Sequence, residues 1–581
     1  MRFEAKTRDC NTRVGEMEID GKKVVVPNIL WYSSSRIPSP PFAELKLRKD
    51  IREGGTFFYP NKCEFCIPPA LIYPHFFPDE VHEKAFELNE KFFNNIFSIV
   101  SPKWPARKAF INILANSREL FSNPRNFVNA IVSIRQKIGY SLLYAPAIAN
   151  PVNLAILCYA GIDLFDSIDV VIKTRKGIYF TSEGEYNLEE MDEYPCGCKF
   201  CEKGINGYKD LLMHNYITMK NELIKVRKAI EKGMLREYVE AKTHFDIKFA
   251  SILRIFDMEY YEYQEKRYAL TGNRILASPY SLNRPDIRRF RERVIKRYEK
   301  PECTELLLLL PCSAKKPYSA SKSHKLFNRV ISTCINRYAI HEVIVTSPLG
   351  IVPRELEYTY PAAHYDVSVI GYWDKEEIEM INAALKNYIS RNKYDVVINH
   401  LPPEISEFLD INAINTCIDH PTSEESLKKL EKEIKVAENF DRVKHTERRR
   451  DNIKAILKYQ FGNAADEFLK GCETKGKFPE YKIYYNDKQL ASLSPKRGLF
   501  ALTFPGGKKL GRNYWVEIDD FVPKGSVFAV GVKDADERIR VGDEVVIFYR
   551  EEVRGVGVAR MNADEMIESE TGEAVKIRHY K

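Results

Sequence analysis

The sequence has no apolar run close to twenty residues, no internal repeat and no low-complexity tract. A membrane-spanning helix needs about 20 consecutive apolar residues, so this class of protein is disfavoured, and the mean hydropathy of −0.37 agrees. The first residues, MRFEAKTRDCNTR, lack the apolar core of a signal peptide. We therefore expect a cytoplasmic protein with no membrane partner.

The chain is too long for one hydrophobic core. It has 581 residues, and single cores stop growing at about 250–300 residues, so we expect several domains. The net charge of +8 permits an anionic partner without requiring one. Two basic clusters, at 284–300 and at 442–454 (the latter with Arg448, Arg449 and Arg450), fit either solvated helix faces or nucleic-acid contacts.

Apolar runs of strand length alternate with helical stretches through most of the chain. Residues 141–172 have a β-α-β rhythm, which favours a parallel sheet. A second set of runs predicts another parallel sheet, buried on both faces, whose ligand crevice lies at the carboxyl ends of its strands. After residue 470, short strands separated by Gly, Pro and Asp predict small β-barrels. The runs of the second set are ELLLLLP (305–311), HEVIVTSPL (341–349), YDVSVIG (365–371) and YDVVINHLP (394–402).

Three cysteines and one histidine have the spacing of a zinc site. Tetrahedral Zn²⁺ takes four nitrogen or sulfur ligands, and four protein ligands leave no position for water, so the metal is expected to be structural. The alternative is three reduced cysteines beside an unrelated histidine. A further pair, Cys63 and Cys66, fits a redox pair, a partial metal site or chance. The four expected ligands are Cys196, Cys198, Cys201 and His214.

The first 240 residues or so resemble the tRNA-guanine transglycosylase family, particularly its archaeal branch. The resemblance is carried by RVGEMEIDGKKVVVPN (13–28), by YAPAIANPVNLAILCYAGIDLFDS (144–167) and by GIYFTSEGEYNL (177–188). It implies an incomplete (β/α)8 barrel, and it makes Asp166 the aspartate that attacks the ribose carbon. The Asp-Ser-Gly segment with the other catalytic aspartate is missing, as is the Gly-Gly loop that reads the base. A barrel that only holds tRNA or a dimer partner is therefore the alternative to base exchange.

Residues 521–566 resemble a PUA domain, a small RNA-binding barrel. Its cations are expected to contact phosphates, which supply affinity rather than sequence reading. This domain gives the two basic clusters independent support, and tRNA is the expected partner. The cations in question are Lys524, Arg538, Arg540, Arg554, Arg560 and Arg578.

Together with three central motifs, this order of domains resembles the archaeosine synthase family along essentially the whole chain. The motifs are PCSAKKPYSASKSH (311–324), TSPLGIVPRELE (346–357) and YPAAHYDV (360–367). The resemblance implies conversion of a 7-cyano-7-deazaguanine in the tRNA D-arm to an amidine-type group. It implies nitrogen from glutamine or ammonia, or lysine addition completed by a radical-SAM partner protein. Related transglycosylases suggest a homodimer.

A nitrile is a weak electrophile, and thiolate addition followed by amine attack is one route to an amidine. Cys312 follows a buried strand and precedes a helix, and nearby cations favour a thiolate. The alternatives are a packing role for Cys312, with the lysines and serines on tRNA phosphate, or direct amine attack. The expected catalytic set comprises Cys312 with Lys315 and Lys316, His324 or His364 with Asp366 as proton carriers, and Arg354 and Glu355 as donor-positioning groups.

The sequence thus predicts a multidomain α/β protein. Three functions remain open: nitrile conversion, base exchange at Asp166, and a non-catalytic tRNA-binding scaffold. The expected regions are an incomplete TIM-barrel-like domain with the zinc site (1–240), a helical linker with a basic helix (241–300), a parallel α/β domain (301–440), a small α+β domain (441–505) and a C-terminal PUA β-barrel (506–581).

Overall fold

The computed structural model divides the chain into two compact units. Unit 1 comprises Met1–Tyr268 with Glu568–Gly572, and unit 2 comprises Ala269–Ile567 with Glu573–Lys581. Within the described residues, no helix has the length and apolar character needed to cross a membrane. The structure describes residues 1–50, 55–59, 65–67, 70–105, 107–270, 272–367 and 373–581.

Unit 1 alternates strands and helices after an N-terminal meander. Its strands are β1 (Arg2–Asp9), β2 (Thr12–Ile19), β3 (Lys22–Val26), β4 (Asn28–Ser33), β5 (Leu45–Asp50), β6 (Gly55–Tyr59), β7 (Phe65–Ile67), β8 (Phe97–Val100), β9 (Ile111–Leu114), β10 (Leu142–Tyr144), β11 (Leu164–Asp166), β12 (Ile178–Phe180) and β13 (Glu185–Asn187). Its helices are α1 (Asp79–Glu90), α2 (Ser117–Ser122), α3 (Pro124–Ile138), α4 (Leu154–Tyr159), α5 (Ile168–Arg175), α6 (Lys199–Glu202), α7 (Tyr208–Glu231), α8 (Leu235–Lys242), α9 (Ile247–Glu259) and α10 (Tyr261–Glu265).

The main sheet of unit 1 has the order β7-β6-β5-β4-β11-β10-β9-β8. Its strands are parallel from β8 to β5, and β6 and β7 are added antiparallel. The parallel strands β8 to β11 are buried along their whole length, as expected for a sheet covered on both faces. Among the described residues, the pairings leave β7 and β8 as edges, so they establish a parallel α/β sheet but not a closed barrel.

Unit 2 contains three larger sheets. Its strands are β14 (Ile275–Leu276), β15 (Leu306–Pro311), β16 (Ile340–Thr346), β17 (Gly350–Pro353), β18 (Tyr365–Asp366), β19 (Val396–Asn399), β20 (Ile414–Asn415), β21 (Glu473–Lys475), β22 (Lys482–Tyr485), β23 (Lys488–Ser494), β24 (Leu499–Leu502), β25 (Trp515–Ile518), β26 (Ser526–Phe528), β27 (Val532–Ala535), β28 (Glu544–Tyr549), β29 (Glu552–Ala559) and β30 (Glu573–Tyr580). The helices that follow α10 are α11 (Pro285–Lys296), α12 (Lys322–Ile331), α13 (Lys375–Arg391), α14 (Pro403–Ser406), α15 (Glu424–Ile434), α16 (His445–Phe461), α17 (Ala464–Leu469), α18 (Phe504–Leu510) and α19 (Ala563–Glu568).

The leucine-rich strand β15 lies at the centre of a sheet with the order β17-β16-β15-β19-β20. The four strands from β16 to β20 are parallel, and β17 is antiparallel to β16. Leu306, Leu308 and Leu310 pack with α12 and α15 on one face. Leu307 and Leu309 belong to the core on the other face, which includes residues of α11 and α13. Both faces are therefore buried, as the run of leucines predicts.

The last part of unit 2 is β-rich. One sheet has the order β21-β22-β23-β24, and the final sheet has the order β26-β30-β29-β28-β25-β27. The short strands predicted after residue 470 are confirmed in both sheets. Their buried residues join the core of the parallel sheet in one continuous apolar cluster, which extends from Ile275 to Val575.

Candidate active site

A cavity of about 600 Å³ lies at the carboxyl ends of the parallel strands of unit 2. Cys312 follows β15, Ser347 follows β16, Leu401 follows β19 and His420 follows β20, and all four residues line the cavity. Loops after adjacent parallel strands meet at one edge of the sheet, and this edge is where such sheets bind ligands. The crevice predicted from the sequence is therefore a real cavity, and Cys312 lies in its wall.

Cys312 is partly buried in the cavity wall. Burial raises the pKa of its thiol, while a hydrogen bond with Thr346 and the charge of Lys316 lower it. The two opposing effects are the ones that decide whether a cysteine is inert or reactive. The thiol therefore needs a proton acceptor close by to become a thiolate at neutral pH.

The two neighbouring lysines differ in their surroundings. Lys315 is exposed, whereas Lys316 is partly buried. The Nζ atom of Lys316 has no hydrogen-bond partner in the described part of the chain. Burial lowers the pKa of Lys316, and the nearby Arg274 lowers it further, while Cys312 raises it. Lys316 is thus the lysine that lies near Cys312 and whose pKa burial lowers.

A chain of hydroxyl groups extends from Cys312 into the core. The Thr346 hydroxyl, which helps to lower the pKa of Cys312, lies 2.5 Å from the Tyr365 hydroxyl. The Tyr365 hydroxyl shares a hydrogen bond of 2.7 Å with Tyr318. Sequence reasoning missed these three residues, although each lies in one of the three central motifs. The motifs are separated in sequence because each occupies a different loop, and the fold brings them together around Cys312.

His324 is buried, and both of its ring nitrogens are occupied. Nδ1 accepts a hydrogen bond from Arg354 at 2.8 Å, so Nε2 carries the proton and donates to the Pro311 carbonyl at 3.0 Å. Burial, followed by the charge of Arg354, lowers its pKa to about 2. His324 is a neutral residue that holds the end of β15 next to Cys312. The Ser321 hydroxyl caps α12 by accepting a hydrogen bond from the backbone N–H of His324.

Arg354 and Glu355 are engaged inside the protein. Arg354 pairs with Glu342 at 2.5 Å and with Glu357 at 3.1 Å. Glu355 accepts a hydrogen bond from Tyr298 and lies 3.3 Å from His341. Within the described residues, neither side chain lines the cavity with Cys312. The structure therefore places them as internal pairs and does not bring them to the cavity.

Neither His364 nor Asp366 is among the described residues that line the cavity. His364 lines a second cleft, and burial lowers its pKa. Its Nδ1 atom has no hydrogen-bond partner among the described residues. Asp366 accepts a hydrogen bond from Arg274. The cavity wall thus includes neither residue, although both occur in one of the three central motifs.

The second cleft has a volume of about 620 Å³ and is cationic. Two of its five cations, Arg560 and Arg578, are among the residues predicted to bind RNA, while the other three were not identified from the sequence. Glu544 pairs with two of the cations and Glu573 with two more, so five positive and two negative charges leave three positive. The five cations are Lys496, Arg497, Arg560, Lys576 and Arg578.

The remaining predicted RNA-binding residues are distributed over other surfaces. Lys524 is exposed, and Arg538 pairs with Asp536 at 2.5 Å. Arg540 donates to the Glu537 carbonyl, and Arg554 pairs with Asp520 at 3.0 Å. In α16, side-chain hydrogen bonds hold all three predicted arginines in place, with one bond each for Arg448 and Arg449 and two for Arg450. They run from Arg448 to the Tyr338 carbonyl, from Arg449 to the Thr474 hydroxyl, and from Arg450 to the Cys472 and Leu469 carbonyls.

In unit 1, the predicted zinc ligands form one cluster. The ligand atoms of Cys196, Cys198, Cys201 and His214 all lie within 4.8 Å of one another. The Cys198 and Cys201 sulfurs are 3.5 Å apart, and the Cys201 sulfur is 3.3 Å from Nδ1 of His214. Ligands of tetrahedral Zn²⁺ at their usual bond lengths are separated by about 3.3–3.8 Å, so the donor set fits this ion.

The outer contacts of the cluster orient its histidine. Nε2 of His214 lies 2.9 Å from the Phe180 carbonyl, which leaves Nδ1 facing the sulfurs. A hydrogen bond on the second ring nitrogen is the usual way in which proteins fix a metal-binding histidine. The Tyr179 ring stacks on His214 with a centroid distance of 3.9 Å. Contacts from β12 therefore hold the His214 ring of α7 with its Nδ1 atom towards the sulfurs.

Asp166 is completely buried at the end of β11. Its carboxylate accepts hydrogen bonds from the Tyr144 hydroxyl at 2.6 Å and from the backbone N–H groups of Ala147 and Ile168 at 2.9 and 2.8 Å. Burial raises its pKa to about 6, although these donors oppose the rise. Such a carboxylate ties three segments together and presents no exposed oxygen. Base exchange at Asp166 gains no support from this arrangement.

The structure describes only part of the Cys63–Cys66 pair. Cys63 lies outside the described residues, and Cys66 belongs to β7, where the side chain lies outside them too. The role of the pair stays open.

Four family models match the chain. They are a queuine tRNA-ribosyltransferase model at 125–245, a domain of unknown function at 287–434, the patch-forming domain C2 of tRNA-guanine transglycosylase at 451–514, and a PUA domain at 515–581. The cavity with Cys312 is built mainly by the domain of unknown function.

Curated relatives match nearly the whole length. The chain is 36% identical to the archaeosine synthase subunit alpha of Methanosarcina acetivorans, over 98% of this chain and 94% of that protein. It is 37% identical to the archaeosine synthase of Haloferax volcanii, over 80% of this chain and 82% of that protein. A crystal structure of a protein of unknown function shares 28% identity over 50% of this chain and 98% of its own, with a TM-score of 0.40.

Proposed function

Because the chain belongs to the archaeosine synthase family, we propose that it converts a 7-cyano-7-deazaguanine in tRNA to the amidine of archaeosine. The observation that carries this proposal is the position of Cys312 in the cavity at the carboxyl ends of β15 and its neighbours, beside Lys316. The cavity supplies the nucleophile, and Lys316 next to Cys312 supplies the proton acceptor that nitrile chemistry needs.

The first step joins Cys312 to the nitrile carbon. The neutral amine of Lys316 takes the thiol proton, and the sulfur forms a bond to carbon while one π pair of the C≡N bond moves to nitrogen. The Lys316 ammonium then returns the proton to that nitrogen. The product is a thioimidate, and no proton is gained or lost overall. A buried lysine suits this exchange because burial lowers its pKa and so makes the amine easier to free for accepting the thiol proton.

The second step forms the amidine. An amine attacks the thioimidate carbon, the carbon–sulfur bond breaks, and the proton released by the amine neutralises the departing thiolate. Asp374 and Glu377 line the same cavity, where their carboxylates attract a donor that arrives as an ammonium ion and take the proton that it loses before its nitrogen attacks. Ammonia, glutamine and lysine all remain candidates. If lysine is the donor, a radical-SAM partner protein completes the product.

The cationic cleft is the proposed contact for tRNA phosphates. Three net positive charges in a cleft of about 620 Å³ attract a polyanion, and such contacts supply affinity rather than sequence reading. We propose that Arg560 and Arg578 act here together with Lys496, Arg497 and Lys576.

In unit 1, we propose that Cys196, Cys198, Cys201 and His214 hold a structural Zn²⁺ ion. Four protein ligands leave the ion no open position, so it stabilises the fold and takes no part in catalysis. The parallel sheet of unit 1 is then an incomplete transglycosylase-type barrel that holds tRNA without base exchange, because Asp166 is buried and fully hydrogen-bonded. A homodimer stays a prediction.

The experiment is an incubation of the protein with tRNA that carries the cyano base. Parallel reactions receive ammonium, glutamine or lysine, and the nucleosides released from the tRNA are weighed by mass spectrometry. The proposal predicts a mass increase equal to ammonia or to lysine. Exchange of a labelled base would instead show a transglycosylase, and an unchanged nucleoside with every donor would contradict nitrile conversion.

A further inference from the structure

His420 lies in the wall of the cavity that contains Cys312. It belongs to the loop between β20 and α15, and its side chain is exposed, so a bound base can reach it. Nothing in the sequence distinguishes it, because more than a hundred residues separate it from Cys312. The two residues meet because β15 and β20 are parallel strands of one sheet, with β19 between them.

Thr422 determines which ring nitrogen of His420 carries a proton. The backbone N–H of Thr422 lies 3.2 Å from Nδ1, and the Thr422 hydroxyl lies 2.9 Å from the same atom. A backbone N–H can only donate, so Nδ1 is the acceptor and the proton of the neutral ring is on Nε2. Within the described residues, Nε2 has no hydrogen-bond partner. The ring is therefore held as a hydrogen-bond donor with a free N–H.

Three other histidines near this sheet are not available for the same task. His324 uses Nδ1 on Arg354 and Nε2 on the Pro311 carbonyl. His400 uses Nδ1 on Thr416 and Nε2 on the Pro421 carbonyl. His364 lines the cationic cleft instead. Among the described histidines, His420 is the one that both lines the cavity and has a ring N–H without a partner.

We propose that His420 is a catalytic residue whose Nε2–H donates a hydrogen bond to the nitrile nitrogen of the tRNA base during attack by Cys312. As the carbon–sulfur bond forms, an electron pair moves onto that nitrogen, and a donor held in place stabilises the developing charge. The proton that finally joins the nitrogen comes from Lys316, so His420 gives up no proton. This role rests on the proposed nitrile conversion.

The first measurement is the rate at which the cyano-tRNA becomes covalently attached to the protein when no amine donor is present. Attachment is detected as a protein–RNA band after acid quenching. We expect His420→Ala to slow attachment about 10²- to 10³-fold, the usual cost of one missing donor of this kind. His420→Gln keeps an amide N–H at a similar position, and it should recover at least tenfold of the loss.

His244→Ala is the matched control, because His244 is an exposed histidine of unit 1. The His244→Ala variant should become attached to the cyano-tRNA at the same rate as the unchanged protein. Filter binding of the cyano-tRNA should be the same for all variants, which separates loss of catalysis from loss of folding or binding.

Two negative outcomes are distinguishable. If the unchanged protein converts the base but His420→Ala attaches within threefold of its rate, the role of His420 is overturned and the proposed function stands. If the unchanged protein neither attaches to nor converts the cyano base with any donor, nitrile conversion is wrong and the role of His420 fails with it.

Discussion

The Nζ atom of Lys316 lies 4.0 Å from the centre of the Tyr365 ring. Tyr365 in turn bonds Thr346, whose hydroxyl helps to lower the pKa of Cys312. The Nζ atom lies over an aromatic face and has no hydrogen-bond partner in the described part of the chain, so no carboxylate is bonded to it to hold it in the protonated form. Lys316 is therefore available to exchange a proton with Cys312.

Replacement of Lys316 tests this proton exchange. Lys316→Met keeps most of the side-chain volume and removes the amine, so we expect the rate of cyano-base conversion to fall about 10²-fold, the lower end for loss of a general base. The measurement is single-turnover conversion followed by mass spectrometry of the nucleoside.

Lys315→Met is the matched comparison, because it makes the same change in charge at the exposed neighbour. The loss in Lys316→Met should exceed the loss in Lys315→Met at least tenfold. Equal losses would show that the two lysines act only through charge, for example on tRNA phosphate.

The stability of unit 2 should depend on pH through His324. Its pKa is about 2 in the folded protein and about 6.5 in an unfolded chain. Between these values the unfolded chain binds a proton that the folded protein does not, so the free energy of unfolding falls as the pH is lowered. One proton corresponds to about 1.4 kcal/mol per pH unit.

The check is chemical denaturation between pH 7 and pH 5 for the unchanged protein and for His324→Gln, which cannot titrate. We expect the variant to lose less stability over this interval, by the contribution of one proton. Parallel curves for the two proteins would contradict a neutral, buried His324. The transition to follow is the one that includes unit 2.

Removal of the metal should destabilise unit 1. We expect about one equivalent of zinc per chain in the purified protein, since the four ligands form a closed site. Cys201→Ser should lower both the zinc content and the melting temperature of unit 1, because binding energy at a structural site contributes to folding. A chelator that removes the zinc without any change in melting would refute the structural role.

The cationic cleft should set the salt dependence of tRNA binding. We expect Arg560→Ala to weaken binding of unrelated tRNAs uniformly and to reduce the slope of log affinity against log salt by about one. Lys533→Ala is the control, because Lys533 belongs to the same domain and pairs with Asp519 outside the cleft. Identical slopes for the two variants would place the phosphate contact elsewhere.

The strands around the cavity can be predicted from the sequence better than the residues that line the cavity. The run of leucines identifies β15 as a strand buried on both faces, and it therefore places Cys312 at the crevice. The spacing of the Cys-x-Cys-x-x-Cys group is local, so the metal cluster can be predicted as well. The strands of the PUA domain can be predicted from the turns that separate them. The boundaries of the five expected regions stay predictions.

The grouping of distant residues cannot be predicted in the same way. His324 and His364 lie in the central motifs, yet the first is bonded to Arg354 and the second lines another cleft. His420 is distant in sequence and lies in the cavity. The difference depends on strand order, because β20 is placed beside β19 by pairings that the sequence does not reveal. Thr346 of β16 and Tyr365 of β18 belong to different sheets, and they too meet only in the folded protein.

The most direct test of the account compares conversion of the cyano base by the unchanged protein and by Cys312→Ala. Both are incubated with the same tRNA and the donor that supports turnover, and the released nucleoside is weighed. We predict that Cys312→Ala binds the tRNA normally, forms no covalent adduct and loses at least a thousandfold in conversion rate, about 4 kcal/mol of the barrier. Full conversion by Cys312→Ala would contradict a thioimidate at this cysteine and leave direct amine attack as the mechanism.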